Sequence, residues 1–289
     1  MSKPTIGFIG AGKTARALSL ALNRAGYPVT TLASRTFASA TQLAGQIKGC
    51  TASRNTQTVA DSCQLVFINT PDSAIPVVAS GLQWHPGQAV IHCSGADSTS
   101  SLVSAEDQGA QTGVFHPLQT FAAGEAVTTL QGITFALEAA EPLLATLKTL
   151  ANALGGHWIV LRAEDKALYH ASAVMACNYM VTLAASAANM WEKFGISPKE
   201  AITALLPLIK GTVANIEHIG LPDCLTGPIA RGDVLTVHRH LEAIRTHIPN
   251  LEAVYRELGR QTMPLGHAAG KLDSATMEEL SQTLAERIT

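Results

Sequence analysis

Short apolar runs alternate with amphipathic stretches through the first half of the chain. Residues 5–9, 29–33, 65–69, 89–92 and 113–115 are compact apolar segments bounded by Gly, Pro, Ser or Asn, the pattern of buried strands. Residues 133–137 and 157–161 extend the series. Helical periodicity fills 14–25 and 141–154. Strands alternating with helices predict an α/β domain built on a doubly wound, mainly parallel sheet. Each strand ends on small or polar residues: Gly10, Ser34, Asn69-Thr70-Pro71, Ser94-Gly95 and His116-Pro117. The carboxyl ends of parallel strands are where such sheets bind ligands.

After Leu161 the strand signals stop. A long helical segment is expected over 163–194, ended by Gly195 and Pro198. Further helices are expected at 199–219, 234–247, 251–258 and 274–288, with Gly259 as the stop of the third. The expected division is therefore an α/β domain over 1–162 and an all-α domain over 163–289. Residues 171–191 carry no charge and are long enough to span a bilayer. Ser172, Asn178, Thr182, Ser186 and Asn189 would be costly in lipid, so a helix buried within protein is expected rather than a membrane span.

A length of 289 residues fits two domains, and 47% hydrophobic against 15% charged residues reads as globular rather than disordered. A net charge of −2, with no stripe of Lys and Arg, argues against a nucleic-acid partner. Cys50, Cys63, Cys93, Cys177 and Cys224 form no C-x-x-C pair and read as reduced thiols of a cytoplasmic protein. The first residues lack a basic-then-apolar leader, so no signal peptide is expected. His238 and His240 lie two apart on a predicted helix and diverge, and no H-x-x-x-H occurs, so no catalytic metal is expected.

Gly10-Ala11-Gly12-Lys13-Thr14-Ala15 joins the first strand to the first helix, which is the setting that G-x-G-x-x-G/A requires. The first glycine permits the turn, and the second lets a pyrophosphate reach the backbone. Ala15 lets helix and strand pack closely, and the helix N-terminus favours the negative charge. Residues 7–14 also match the phosphate loop G-x-x-x-x-G-K-[ST]. That reading shortens the strand to a stub containing Pro4, and the strand over 65–69 supplies no carboxylate for magnesium. The dinucleotide reading stands, with Lys13 either near the phosphates or simply solvated.

The second strand ends Ser34-Arg35-Thr36. An NAD site places Asp or Glu here for the ribose 2′-hydroxyl, whereas a guanidinium between two hydroxyls suits a 2′-phosphate and favours NADP(H). The plainer reading is a surface arginine at a strand end. Asn69, Thr70 and Pro71 are expected beside the cofactor ribose, with Ser94 and Gly95 lining the nicotinamide pocket.

The strings GFIGAGKTARAL, IHCSGADS at 91–98, FHPLQTFA at 115–122 and LTGPIARGDVLTVHRHL at 225–241 resemble Rossmann-like proteins with a C-terminal domain of unknown function, DUF2520. These are distant relatives of pyrroline-5-carboxylate reductase and of the 6-phosphogluconate and 3-hydroxyisobutyrate dehydrogenases. The resemblance implies an NADP-type fold, oxidoreductase chemistry and a helical second domain used in dimer formation; it implies no substrate. Those dehydrogenases carry a Lys and an Asn on the long helix where this chain has His170 and Val174, so their mechanism does not transfer literally.

Reduction of a carbonyl or imine by NADPH needs a proton donor near the acceptor heteroatom, and histidine serves well near neutral pH. His170, which shares a helix face with Lys166, is a candidate donor or substrate anchor. His116 at a strand end is a candidate substrate contact, and His92 reads as a buried supporting residue. Asn178 is a further candidate on the long helix. Arg231 is suited to clamp an acidic group, and Asp233 reads as a helix N-cap. The expected activity is an NADP(H)-dependent oxidoreductase acting on a small polar, acidic carbonyl or imine compound. The alternative is a non-catalytic NADP(H) sensor.

Overall fold

The computed structural model describes residues 3–121 and 130–285. The end of the 115–122 string and the last residues of the expected 274–288 helix lie outside them. The chain divides into two compact units, Met1–Cys177 and Asn178–Thr289.

The first unit is an eight-stranded sheet. Its strands are β1 (Ile6–Ile9), β2 (Val29–Ala33), β3 (Thr51–Ser53), β4 (Leu65–Ile68), β5 (Ala89–His92), β6 (Gln111–Pro117), β7 (Thr134–Ala139) and β8 (His157–Val160). Their order is β3-β2-β1-β4-β5-β6-β7-β8, and every neighbouring pair is parallel except β6–β7. The order reverses beside β1, between the crossovers to β2 and β4. This is the switch point at which open α/β sheets bind ligands. The helices of this unit are α1 (Lys13–Arg24), α2 (Phe37–Ala44), α3 (Gln57–Ser62), α4 (Ile75–Ser80), α5 (Val103–Glu106), α6 (Leu143–Ala153) and α7 (Lys166–Ala176).

Two cores cover the two faces of the sheet except at β8, whose four residues are exposed. Phe8, Phe67, Phe115 and Phe135 line one face in a contiguous aromatic row, packed with Leu18 and Leu22 of α1 and Leu147 and Leu150 of α6. Ile9, Val66, Ile68 and Val90 line the other with Val59 of α3 and Ile75 and Ala79 of α4. Burial on both faces explains why the central strands read as unbroken apolar runs. On that second face the register aligns His92 with Val114, and Val114 with Glu138. Strand alternation then puts His92, His116 and Glu138 on the same side. The polar site grows from this strip.

The long helix expected over 163–194 is interrupted. Cys177, at φ −114° and ψ −66°, ends α7, and α8 (Asn178–Met190) starts at the next residue. The stretch was expected to be buried within protein, but this chain does not bury it. Only 6% of its most apolar window is buried, and Met175, Tyr179 and Val181 are exposed.

The second unit continues with α9 (Pro198–His218), α10 (Val234–His247), α11 (Glu252–Ala268) and α12 (Ser274–Leu284). Ser197 and Glu200 form a reciprocal capping box that starts α9. Asp233 caps α10, accepting the Thr236 N–H at 3.0 Å, as its position just before the helix predicts. Gly259 does not stop a helix: α11 runs through it. A side chain there would press on Leu284 at 2.8 Å and Ile229 at 3.3 Å, so this glycine serves close packing rather than termination. Val237, Leu241, Met263, Leu280 and Leu284 form the core that α10, α11 and α12 share.

Candidate active site

The turn after β1 is shaped for backbone approach. Gly10 has φ +110°, a region that favours glycine, and a Cβ there would collide with the carbonyl oxygen of Asn69. Its N–H donates to Ala33 O at 2.8 Å, while the Asn69 N–H donates to Ile9 O at 2.7 Å. The ends of β1, β2 and β4 are thereby tied together at the switch point. Ala11 follows, half-buried, and Gly12 is the N-cap of α1, with nothing within 4 Å of the place a Cβ would occupy. No side chain caps α1, and its first turn holds no acid. Lys13 is exposed, Thr14 half-buried and Ala15 fully buried. Free N–H groups at an open helix N-terminus attract an anion, so this turn fits a pyrophosphate.

Ser34, Arg35 and Thr36 lead from β2 into α2, where Thr36 is the N-cap without a side-chain cap bond. Arg35 and Thr36 are exposed. Beyond β4, the side-chain oxygens Asn69 Oδ1 and Thr70 Oγ1 are buried without a hydrogen-bond partner among the described residues, and Pro71 turns the chain into a short 3-10 segment.

The loop after β5 wraps around His92. This fully buried ring directs Nε2 to the Ser98 carbonyl at 2.9 Å and accepts the Ser94 N–H on Nδ1 at 3.1 Å. A carbonyl can only accept, so the ring proton sits on Nε2. The Ser94 hydroxyl accepts the Ala96 and Asp97 N–H groups at 3.3 and 3.0 Å and holds the turn. Gly95 is the point of contact with the histidines. A Cβ there would lie 2.7 Å from His170 Nδ1 and 2.9 Å from His116 Nε2, whose ring centroids are 6.4 Å apart.

His116 Nδ1 and Tyr169 Oη hydrogen-bond at 2.8 Å. Burial first, then the charge of Lys166 and the neighbouring His170 and His92, pushes His116 down to about 4. Burial pushes the Tyr169 phenol up to about 12. At neutral pH the pair is therefore an uncharged imidazole and a protonated phenol. Nearby, Lys166 is only 1% exposed, with Nζ 3.7 Å from Glu138 Oε2. Burial lowers its pKa while the Glu138 carboxylate opposes the shift. Glu138 Oε1 accepts the Thr99 N–H at 3.1 Å and the Thr99 hydroxyl at 2.9 Å.

Asn69 Oδ1, Thr70 Oγ1, Glu138 Oε2 and His170 Nδ1 are the buried side-chain atoms without a hydrogen-bond partner among the described residues. All four flank the carboxyl ends of β4, β5 and β6. Glu138 Oε2 faces the Lys166 ammonium at 3.7 Å; buried polar atoms are nearly always satisfied, so the other three mark a site that a ligand or water completes.

Among the predicted residues, the first unit thus brings His116, His170 and Gly95 together and places Gly10, Gly12, Asn69 and Thr70 at the switch point. Asn178 opens α8 and Arg231 is exposed ahead of α10, both in the second unit. Sequence reasoning assigned no role to Glu138, Lys166 or Tyr169. Lys166 had a signal in its spacing of four from His170; Glu138 had none.

Comparison with known proteins places the family boundary earlier than the boundary between the two units, since the second family match begins at residue 133, within the first unit. Among solved structures, a Bacteroides fragilis protein provisionally named an NADP oxidoreductase is 26% identical, with a TM-score of 0.74, covering 91% of this chain and 98% of that one. An Aspergillus terreus reductive aminase, in complex with NADPH and ethyl levulinate, is 13% identical, with a TM-score of 0.67 over 98% of this chain and 99% of the other. A 1-pyrroline-5-carboxylate reductase from Streptococcus pyogenes is 17% identical, with a TM-score of 0.59 over 97% and 99%. These last two likenesses are of fold. No curated protein sequence matches the chain. Residues 1–117 match the Rossmann-like domain family and residues 133–262 match DUF2520, so the chain is a Rossmann-like protein carrying a DUF2520 domain.

Proposed function

We propose that the chain is an NADP(H)-dependent oxidoreductase acting on a small polar carbonyl or imine compound. The observation that carries this reading is the set of buried, unpartnered polar atoms Asn69 Oδ1, Thr70 Oγ1 and His170 Nδ1, the last against Gly95, beside a glycine turn that fits a dinucleotide. The 26% identical Bacteroides fragilis structure, named for NADP chemistry, supports it. The open N-terminus of α1 would take the pyrophosphate, and Arg35 the 2′-phosphate. Bound NADPH supplies the hydride. His170 Nδ1, buried and unpartnered against Gly95, is the protein atom offered to the acceptor's heteroatom. Tyr169 fixes the His116 ring, which stays uncharged at neutral pH and so adds no repulsion toward a cationic imine.

A second copy of the chain is the proposed partner of the second unit. Its α8 and α9 leave Tyr179, Val181, Leu206, Leu208 and Val213 exposed, and Met180, Val181, Ile202, Leu206 and Ile209 line an apolar groove of about 530 Å³ between them. Light scattering that returns a monomer mass at micromolar concentration would contradict this.

The test of the activity is NADPH oxidation with a panel of keto acids and cyclic imines. Turnover of at least one compound, lowered at least about ten-fold in His170→Ala, is expected. Tight NADPH binding with no turnover would make the chain a sensor instead.

A further inference from the structure

We propose that Arg54 is a second guanidinium of the 2′-phosphate site and shares with Arg35 the discrimination of NADPH from NADH. This inference rests on the NADP(H) reading above. β2 and β3 run parallel, pairing Thr31 with Thr51, Leu32 with Ala52 and Ala33 with Ser53. The two chains therefore leave the sheet side by side, one as Ser34-Arg35 and the other as Arg54. The turn that carries Arg54 is fixed locally. The Ser53 hydroxyl accepts the Asn55 N–H at 3.1 Å, and Asn55 Oδ1 accepts the Gln57 N–H at 3.0 Å.

The guanidinium itself is held as well. Its central carbon lies 4.0 Å from the ring centroid of Phe37, the first residue of α2 and two beyond Arg35. Stacking occupies the flat face of a guanidinium and leaves its N–H edge available for an oxyanion. No carboxylate pairs with Arg35 or Arg54 among the described residues, and the first turn of α2 holds no acid. Two neighbouring cations without a counter-charge favour a dianion, and a phosphomonoester brings a charge of about −1.5 to −2. The ribose of NADH presents only neutral hydroxyls here. Arg54 is remote in sequence from 34–36, and only the β2–β3 register brings the two segments together.

The test is fluorescence titration of NADPH and NADH against wild type, Arg35→Ala, Arg54→Gln and Arg54→Lys, each checked for an unchanged melting temperature. Charge-assisted hydrogen bonds predict that Arg54→Gln weakens NADPH about ten- to hundred-fold and NADH less than about two-fold, with Arg54→Lys in between. The slope of log affinity for NADPH against log salt should also flatten in Arg54→Gln. If Arg54→Gln leaves the NADPH/NADH ratio unchanged while Arg35→Ala removes it, or weakens both cofactors equally, Arg54 is no part of the phosphate site and the oxidoreductase reading survives. If wild type binds neither cofactor, that reading fails and the assignment of Arg54 fails with it.

Discussion

Replacing Gly95 with alanine tests the geometry of the site in one step. Gly95 has no positive φ, so the new methyl meets a steric obstacle and no backbone strain. It would lie 2.7 Å from His170 Nδ1 and 2.9 Å from His116 Nε2. An unstrained contact needs about 3.5 Å, so the rings must retreat by about 0.8 and 0.6 Å respectively. His116 has little freedom to do so, because its Nδ1 is bonded to Tyr169 at 2.8 Å and its backbone lies within β6. Overpacking of this kind costs about 1–3 kcal/mol, which lowers the melting temperature by several degrees. Displacing catalytic groups by most of an ångström lowers turnover on the order of a hundred-fold. Thermal melts, isotope-edited NMR of the histidine rings and NADPH oxidation measure the three effects. An alanine variant with unchanged histidine resonances, melting temperature and turnover would refute the packing of both rings against residue 95.

Two further outcomes follow from the buried titratable groups. Lys166→Met leaves the Glu138 carboxylate buried without its cation, a loss of about 3–5 kcal/mol for a broken buried pair. The lower end is expected, because the contact is 3.7 Å and Thr99 still serves Oε1. Adding Glu138→Leu should restore most of the loss in urea unfolding, and additive losses would contradict the pairing. The second outcome concerns pH. With His116 depressed to about 4, the unfolded chain binds a proton that the folded chain does not as pH falls from about 6.5 to about 4. Stability should therefore decline across that window, by up to about 3 kcal/mol, with His92 acting in the same direction. Melting temperatures from pH 4 to 7 should fall less steeply in His116→Gln, and an identical slope would contradict the depressed histidine.

The parts of the fold legible in the sequence are those where local pattern and tertiary role coincide. Apolar runs marked β1, β2, β4 and β5 because both faces of those strands are buried, and the glycine turn was readable because its chemistry is local. β3 escaped notice: Thr51–Ser53 is an edge strand with no apolar run. Glu138 ended the expected strand at Leu137, because a carboxylate breaks an apolar pattern, yet β7 continues to Ala139 and uses that side chain inward. Its partner Lys166 comes much later in the chain, and no spacing rule links them. Gly259 was misread because a glycine that permits close packing and one that ends a helix look alike in sequence. The apolar character of 171–191 was plain, but periodicity does not say what covers an apolar face.

Isothermal titration of the wild-type chain with NADPH and with NADH bears most directly on the central claim. The account predicts a saturable one-to-one isotherm for NADPH, at least about ten-fold tighter than for NADH, as charge-assisted contacts to one phosphate require. A flat isotherm for both nucleotides would contradict it.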